Sequence, residues 1–67
     1  MVDIGSKIKE LRIVNGLSQQ DLAKKLNAKQ NTLSRYENNL ARPSYEILVS
    51  IAEIFDVSTD YLLGVED

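Results

Sequence analysis

Between Ser18 and Glu37 the chain reads SQQDLAKKLNAKQNTLSRYE, two helical segments too short and too closely joined to fold by themselves. Ser18 suits the position just before a helix, and Asp21 three residues on favours the positive end of one. Leu22, Ala23 and Leu26 recur at helical spacing and form one apolar stripe. Asn27 tolerates the left-handed conformation that ends helices, and Ala28 is expected to turn inward. A second helix is predicted from about Gln30, with Leu33 and Tyr36 on its inner face. Neither stripe is buried by the other alone, so the pair must pack at a steep angle on a third element. That leaves one face of the second helix outward.

At about 100° per residue, Asn31, Arg35 and Asn38 fall roughly opposite the Leu33 and Tyr36 stripe, with Ser34 close by. Lys29 and Gln30 stand at the helix start. Amide, hydroxyl and guanidinium groups are what reading base edges requires. Gln or Asn bonds adenine through two contacts, and Arg does the same to guanine. On the residues alone, a solvated polar face explains the same pattern, and both readings stand.

The flanking sequence supplies the elements to pack against. Asp3 suits a cap, and Ile4, Ile8 and Leu11 give a first helix over Ile4 to Val14 that Asn15-Gly16 ends. Leu17 is expected to be buried at the join. Asn38 to Pro43 is the one long loop, since Pro43 disfavours helix at Arg42. Ser44 then caps a helix over Tyr45 to Phe55. Its stripe of Ile47, Leu48, Ile51, Ala52 and Phe55 is the clearest amphipathic pattern in the chain. Ser58 caps a final helix over Thr59 to Leu63, and Gly64 stops it. No strand pattern, repeat or low-complexity segment appears. The expectation is an all-α, compact five-helix bundle forming one domain over residues 1–67.

Composition removes several function classes. The chain has no cysteine and no histidine, so disulfides, thiolate metal sites, Ser-His triads and most zinc sites are out. No Gly-rich phosphate loop or paired-carboxylate pocket is apparent, and neither an enzyme nor a bound cofactor or metal is expected. No apolar run is long enough to span a membrane, and the N-terminus has no signal-peptide pattern. A cytoplasmic protein is the expectation.

The net charge of −2 argues against a nucleic-acid partner if taken whole. Its distribution argues the other way. Residues 18–42 hold Lys24, Lys25, Lys29, Arg35 and Arg42 against Asp21 and Glu37. Residues 43–67 hold Glu46, Glu53, Asp56, Asp60, Glu66 and Asp67 and no base. Local patches set the field at a binding face.

Taken together, several of these residues resemble the lambda-repressor-like helix-turn-helix family of Xre/Cro type. The resemblance rests on Ser18-Gln19, Asp21-Leu22-Ala23, Leu33-Ser34-Arg35-Tyr36-Glu37, Arg42-Pro43-Ser44, Ile51-Ala52-Glu53 and Tyr61-Leu62-Leu63-Gly64. It runs from about Ile4 to Gly64, with the second and third helices as the helix-turn-helix. It implies that Gln30, Asn31 and Arg35 read bases, with Lys29, Thr32 and Ser34 as secondary contacts. It also implies phosphate contacts from Ser18 and Gln19, and from Asn38, Asn39 and Arg42 after the third helix. Turn chemistry explains Asn38 and Asn39 equally well. Arg12 and Glu37 stand where the family pairs its first and third helices. This chain departs from the family in two places. Lys29 replaces a small capping residue, and Asn39 stands where glycine is common.

The expectation is a sequence-specific double-stranded DNA-binding transcriptional regulator of repressor type, with its third helix in the major groove. One small domain offers little contact, so a homodimer on a pseudo-palindromic operator is expected. The apolar tail of Tyr61, Leu62, Leu63 and Val65 reads either as core closure or as a dimer contact. An alternative, favoured by the acidic second half, is an antitoxin-like or regulator-binding protein-interaction module on the same fold. It would have a protein partner, or a further C-terminal domain.

Overall fold

The computed structural model describes residues 3–64, and these form five helices with no strand among them. They are α1 (Ile4–Val14), α2 (Gln19–Lys25), α3 (Gln30–Glu37), α4 (Tyr45–Phe55) and α5 (Thr59–Leu63). Four of the five starts are capped by a side chain. Asp3 accepts from the Ser6 amide at 3.0 Å, Ser44 from Ile47 at 3.2 Å and Ser58 from Tyr61 at 3.0 Å. At α2 the cap is reciprocal: Ser18 Oγ accepts from the Asp21 amide at 3.0 Å, and Asp21 Oδ2 accepts from the Ser18 amide at 2.9 Å. Lys29 precedes α3 without a capping side chain.

Four helices end the same way. Gly16, Asn27, Asn39 and Asp56 take positive φ between 55° and 71°. The next amide then returns to a carbonyl five residues back: Leu17 to Arg12, Ala28 to Ala23, Leu40 to Arg35 and Val57 to Ala52, at 2.8–3.0 Å. Three of these turns use Asn or Asp, the residues that tolerate the left-handed region best after glycine. Asn39 therefore makes the turn that glycine makes elsewhere.

Each helix places one side chain fully inside: Ile8, Leu22, Leu33, Ile51 and Leu62. Burying a residue of this size is worth about 1.5–3 kcal/mol. Ala23, Leu26, Leu48 and Ala52 complete the cluster, and Ile4, Leu11, Ala28, Tyr36, Ile47 and Phe55 pack around it. α1 packs on α3 and α5, α2 on α3, and α4 on α5.

Two expectations need correction. Leu62 is fully buried at the centre of the core and has no surface to offer a second copy. Its neighbours Tyr61 and Leu63 are half-buried, with Lys7 Nζ 4.5 Å from the centre of the Tyr61 ring. Val65 lies outside the described residues. Tyr45 is 72% exposed, because it opens α4 about a quarter turn off the centre of the apolar stripe. Leu17 is only half-buried.

The start of α1 is tied to the end of α3. Asn39 Oδ1 accepts from the Gly5 amide at 3.1 Å, and Asn39 Nδ2 donates to Asp3 Oδ1 at 2.7 Å. Ser6 Oγ donates to Asp3 Oδ2 at 2.7 Å. The Ser6 hydroxyl, the Asn39 amide and the Ser6 backbone together hold the Asp3 carboxyl down at about 2. A depressed carboxyl stabilises the fold fully above its unfolded value of 3.8, and that contribution is lost as pH falls towards 2. Thermal melts should therefore shift downward across this window. Asp3→Asn, which caps about as well, should make the shift shallower. Equal slopes for the two proteins would refute the assignment.

Candidate nucleic-acid interface

The outward side of α3 carries the polar groups that the sequence places there. Lys29, Gln30, Asn31, Arg35 and Asn38 are exposed, and Thr32 and Ser34 are half-buried at its edge. Leu33, fully buried, and Glu37, nearly so, fix the opposite side of the helix against the bundle. Asn38 spends its amide locally, donating to the Ser34 carbonyl at 2.8 Å.

Beneath this face lies one polar network. Arg12 reaches from α1 to Glu37 with two parallel bonds, Nε to Oε2 at 2.7 Å and Nη2 to Oε1 at 3.1 Å. Its Nη1 donates to the Leu17 carbonyl at 2.9 Å, holding the turn before α2. The side chains are 11% and 2% exposed, and the carboxylate raises the guanidinium above its usual range. Two-point pairing fixes the angle between the partners as well as their distance.

Gln19, at the first position of α2, donates from Nε2 to Glu37 Oε1 at 3.1 Å. Its Oε1 then faces Gln30 Nε2 at 3.4 Å. The network thus brings the starts of α2 and α3 side by side. Among the other expected backbone contacts, Ser18 is engaged in its capping box and Asn39 in the α1 clamp. Arg42 is exposed in the loop after α3.

Charge is segregated along the same lines. Of the exposed cations, Lys24, Lys25, Lys29, Arg35 and Arg42 belong to α2, α3 and their flanking turns, and Lys9 to α1. Of the exposed acids, Glu46, Glu53, Asp56 and Asp60 belong to α4, α5 and the turn between them, Asp3 and Glu10 to α1 and its cap, and Asp21 to α2. An anionic ligand therefore meets its attraction at the α2–α3 side.

Comparison with known proteins places this arrangement. A family model described as Helix-turn-helix, HTH_3, matches residues 8–62. The chain belongs to this lambda-repressor-like helix-turn-helix family. Its helix-turn-helix is α2 and α3, joined through Leu26 to Lys29. The transcriptional regulator ImmR of Bacillus subtilis (strain 168) is 38% identical over 98% of this chain and 52% of its own length. Several curated relatives likewise extend well beyond the match: this chain spans about half their length.

Two solved structures share the fold. The P22 c2 repressor, in complex with a synthetic operator, superposes with a TM-score of 0.87 at 25% identity, covering 94% of this chain and 96% of that one. The biofilm regulator SinR, in complex with DNA, superposes with a TM-score of 0.81 at 38% identity, covering 90% and 97%.

Residue patterns alone did not indicate three features of this helix-turn-helix domain. They are the approach of Gly5 to α3, the clamp from Asn39 to α1, and the bonds from Gln19 to Glu37 and Gln30. Each depends on which side chains meet across the bundle. The one available hint was Asn at position 39, where the family commonly has glycine.

Proposed function

We propose that this chain is a sequence-specific double-stranded DNA-binding domain of a transcriptional regulator, acting as a repressor in the cytoplasm. α3 enters the major groove. Gln30, Asn31 and Arg35 contact base edges, with Lys29, Thr32 and Ser34 beside them. Gln19 and Arg42 hold the phosphate backbone on either side, with Ser18, Asn38 and Asn39 presenting their turns to it. Two copies bind a pseudo-palindromic operator, because one domain of this size gives too little contact for tight binding at physiological salt. The observation that carries this reading is the exposed amide and guanidinium face of α3, set beside the start of α2 on the basic side of the bundle. The DNA complexes of the P22 c2 repressor and SinR support it.

The test is selection from a random duplex pool, with affinities then measured at two salt concentrations. Wild type is expected to enrich a two-fold symmetric site and to bind it less tightly as salt rises. Arg35→Ala and Gln30→Ala should each cost about 1–3 kcal/mol and relax preference at one base pair per half-site. Arg42→Ala should weaken binding evenly across sequences and flatten the salt dependence by about one phosphate. If no duplex is enriched and the variants bind the pool like wild type, the DNA reading fails. A protein partner then becomes the better account.

A further inference from the structure

We propose that Asp3, although acidic, strengthens the hold of Arg42 on the DNA backbone by clamping Asn39 at the root of the loop that carries this arginine. The inference rests on the DNA-binding reading and deepens it, adding two positioning residues to one phosphate contact. Asp3, Asn39 and Arg42 line a single cleft with Tyr36 and Pro43. The cleft therefore joins the start of α1 to the loop after α3.

The clamp is assembled from α1 outward. Asp3 is fixed by the Ser6 amide at 3.0 Å and the Ser6 hydroxyl at 2.7 Å. An ionised carboxylate only accepts hydrogen bonds, so the end of the Asn39 amide that meets Asp3 Oδ1, at 2.7 Å, is the NH2 group. The Asn39 oxygen is thereby turned to the Gly5 amide, 3.1 Å away. That amide is among the first of α1, which have no partner within the helix. Both ends of the Asn39 side chain are thus committed to α1, while its backbone makes the turn after α3 at a φ of 59°. Glycine would make the same turn without the tie.

Four residues, Leu40 to Pro43, separate this turn from the Ser44 cap of α4. Pro43 fixes its own φ and pushes Arg42 towards extended backbone. The far end of the loop is held by the Ser44 cap, at 3.2 Å to the Ile47 amide. The freedom that remains is where the loop leaves α3, and the clamp removes it. Arg42 is exposed on this loop, so ordering happens on folding rather than on binding. Charge alone predicts the reverse effect. A carboxylate on the wall of the same cleft repels phosphate, and deleting it would tighten binding. The sign of the change separates the two accounts.

The experiment compares wild type with Asn39→Gly, Asp3→Ala, Arg42→Ala and each of the first two combined with Arg42→Ala. Affinities are measured for the duplex that wild type selects and for an unrelated duplex, at several salt concentrations. A melt of each protein sets a temperature at which it is folded. Asn39→Gly should bind both duplexes about threefold or more less tightly, with a salt dependence flattened towards that of Arg42→Ala. Asp3→Ala should weaken binding as well, against the sign expected from its charge. On the Arg42→Ala background the same two substitutions should change affinity by less than about 1.5-fold. A merely structural role would lower affinity equally with and without Arg42.

Equal losses on the two backgrounds overturn the proposal, and so does tighter binding by Asp3→Ala. If Asp3→Ala does not fold, Asn39→Gly decides alone. An Arg42→Ala variant that binds like wild type also overturns it, with the broader DNA reading left intact. If wild type enriches no duplex, the DNA reading fails and this proposal falls with it.

Discussion

Arg12→Met is expected to lower folding stability by about 3–5 kcal/mol, because it strands the Glu37 carboxylate inside the bundle. The carboxylate side chain is 2% exposed, and its remaining side-chain partner is the Gln19 amide. A 67-residue domain has a total stability of roughly 0.05–0.15 kcal/mol per residue, so most of its margin disappears. Chemical denaturation followed by circular dichroism should show a much earlier midpoint or no folded baseline. The control separates burial of a lone charge from loss of a bond. In Arg12→Met combined with Glu37→Met no charge stays buried, and apolar replacement of both partners is often neutral. The double variant should therefore be more stable than Arg12→Met alone. If the single substitution costs less than about 1 kcal/mol, the pair contributes as a surface ion pair does and the buried geometry is wrong.

The same pair marks the boundary of what the residues reveal. Helix starts were legible because Asp3, Ser18, Ser44 and Ser58 each act within four residues of themselves. Helix stops were legible because Gly16 and Asn27 accept positive φ as a property of the residue itself. Leu22, Leu33 and Ile51 could be placed inside by periodicity alone. The Arg12–Glu37 pair spans 25 residues, and only the family resemblance joined its halves. The polar face of α3 was legible as a face. Its connection to the core through Gln19 was not, since helical spacing says nothing about a neighbour on another helix. Leu62, left open between core closure and a dimer contact, shows the complementary limit. In the run of Tyr61, Leu62 and Leu63, adjacent positions differ by about 100°, and a five-residue helix is too short to show which one points inward. α1 and α4 supplied that answer through packing.

Gly5→Ala should destabilise the domain by about 1–3 kcal/mol, although alanine is the better helix former. In an open helix the exchange gains up to about 1 kcal/mol, so the sign of the measured change is itself the test. A Cβ built on Gly5 lies 2.5 Å from the Glu37 carbonyl oxygen and 2.6 Å from that of Tyr36. These are backbone atoms of the last turn of α3, and they cannot rotate aside as a flexible side chain would. Leu40 and Asn39 close that turn through their amides, and Asn39 also grips the Gly5 amide. Admitting the methyl group means moving α1 off α3. That strains the Asn39 clamp first and the Arg12–Glu37 pair, two turns along α1, after it. For a domain of this size the melting temperature should fall by about 4–8 °C per kcal/mol. A melt that stays level or rises would mean that α1 approaches α3 less closely than the backbone spacing at Gly5 requires.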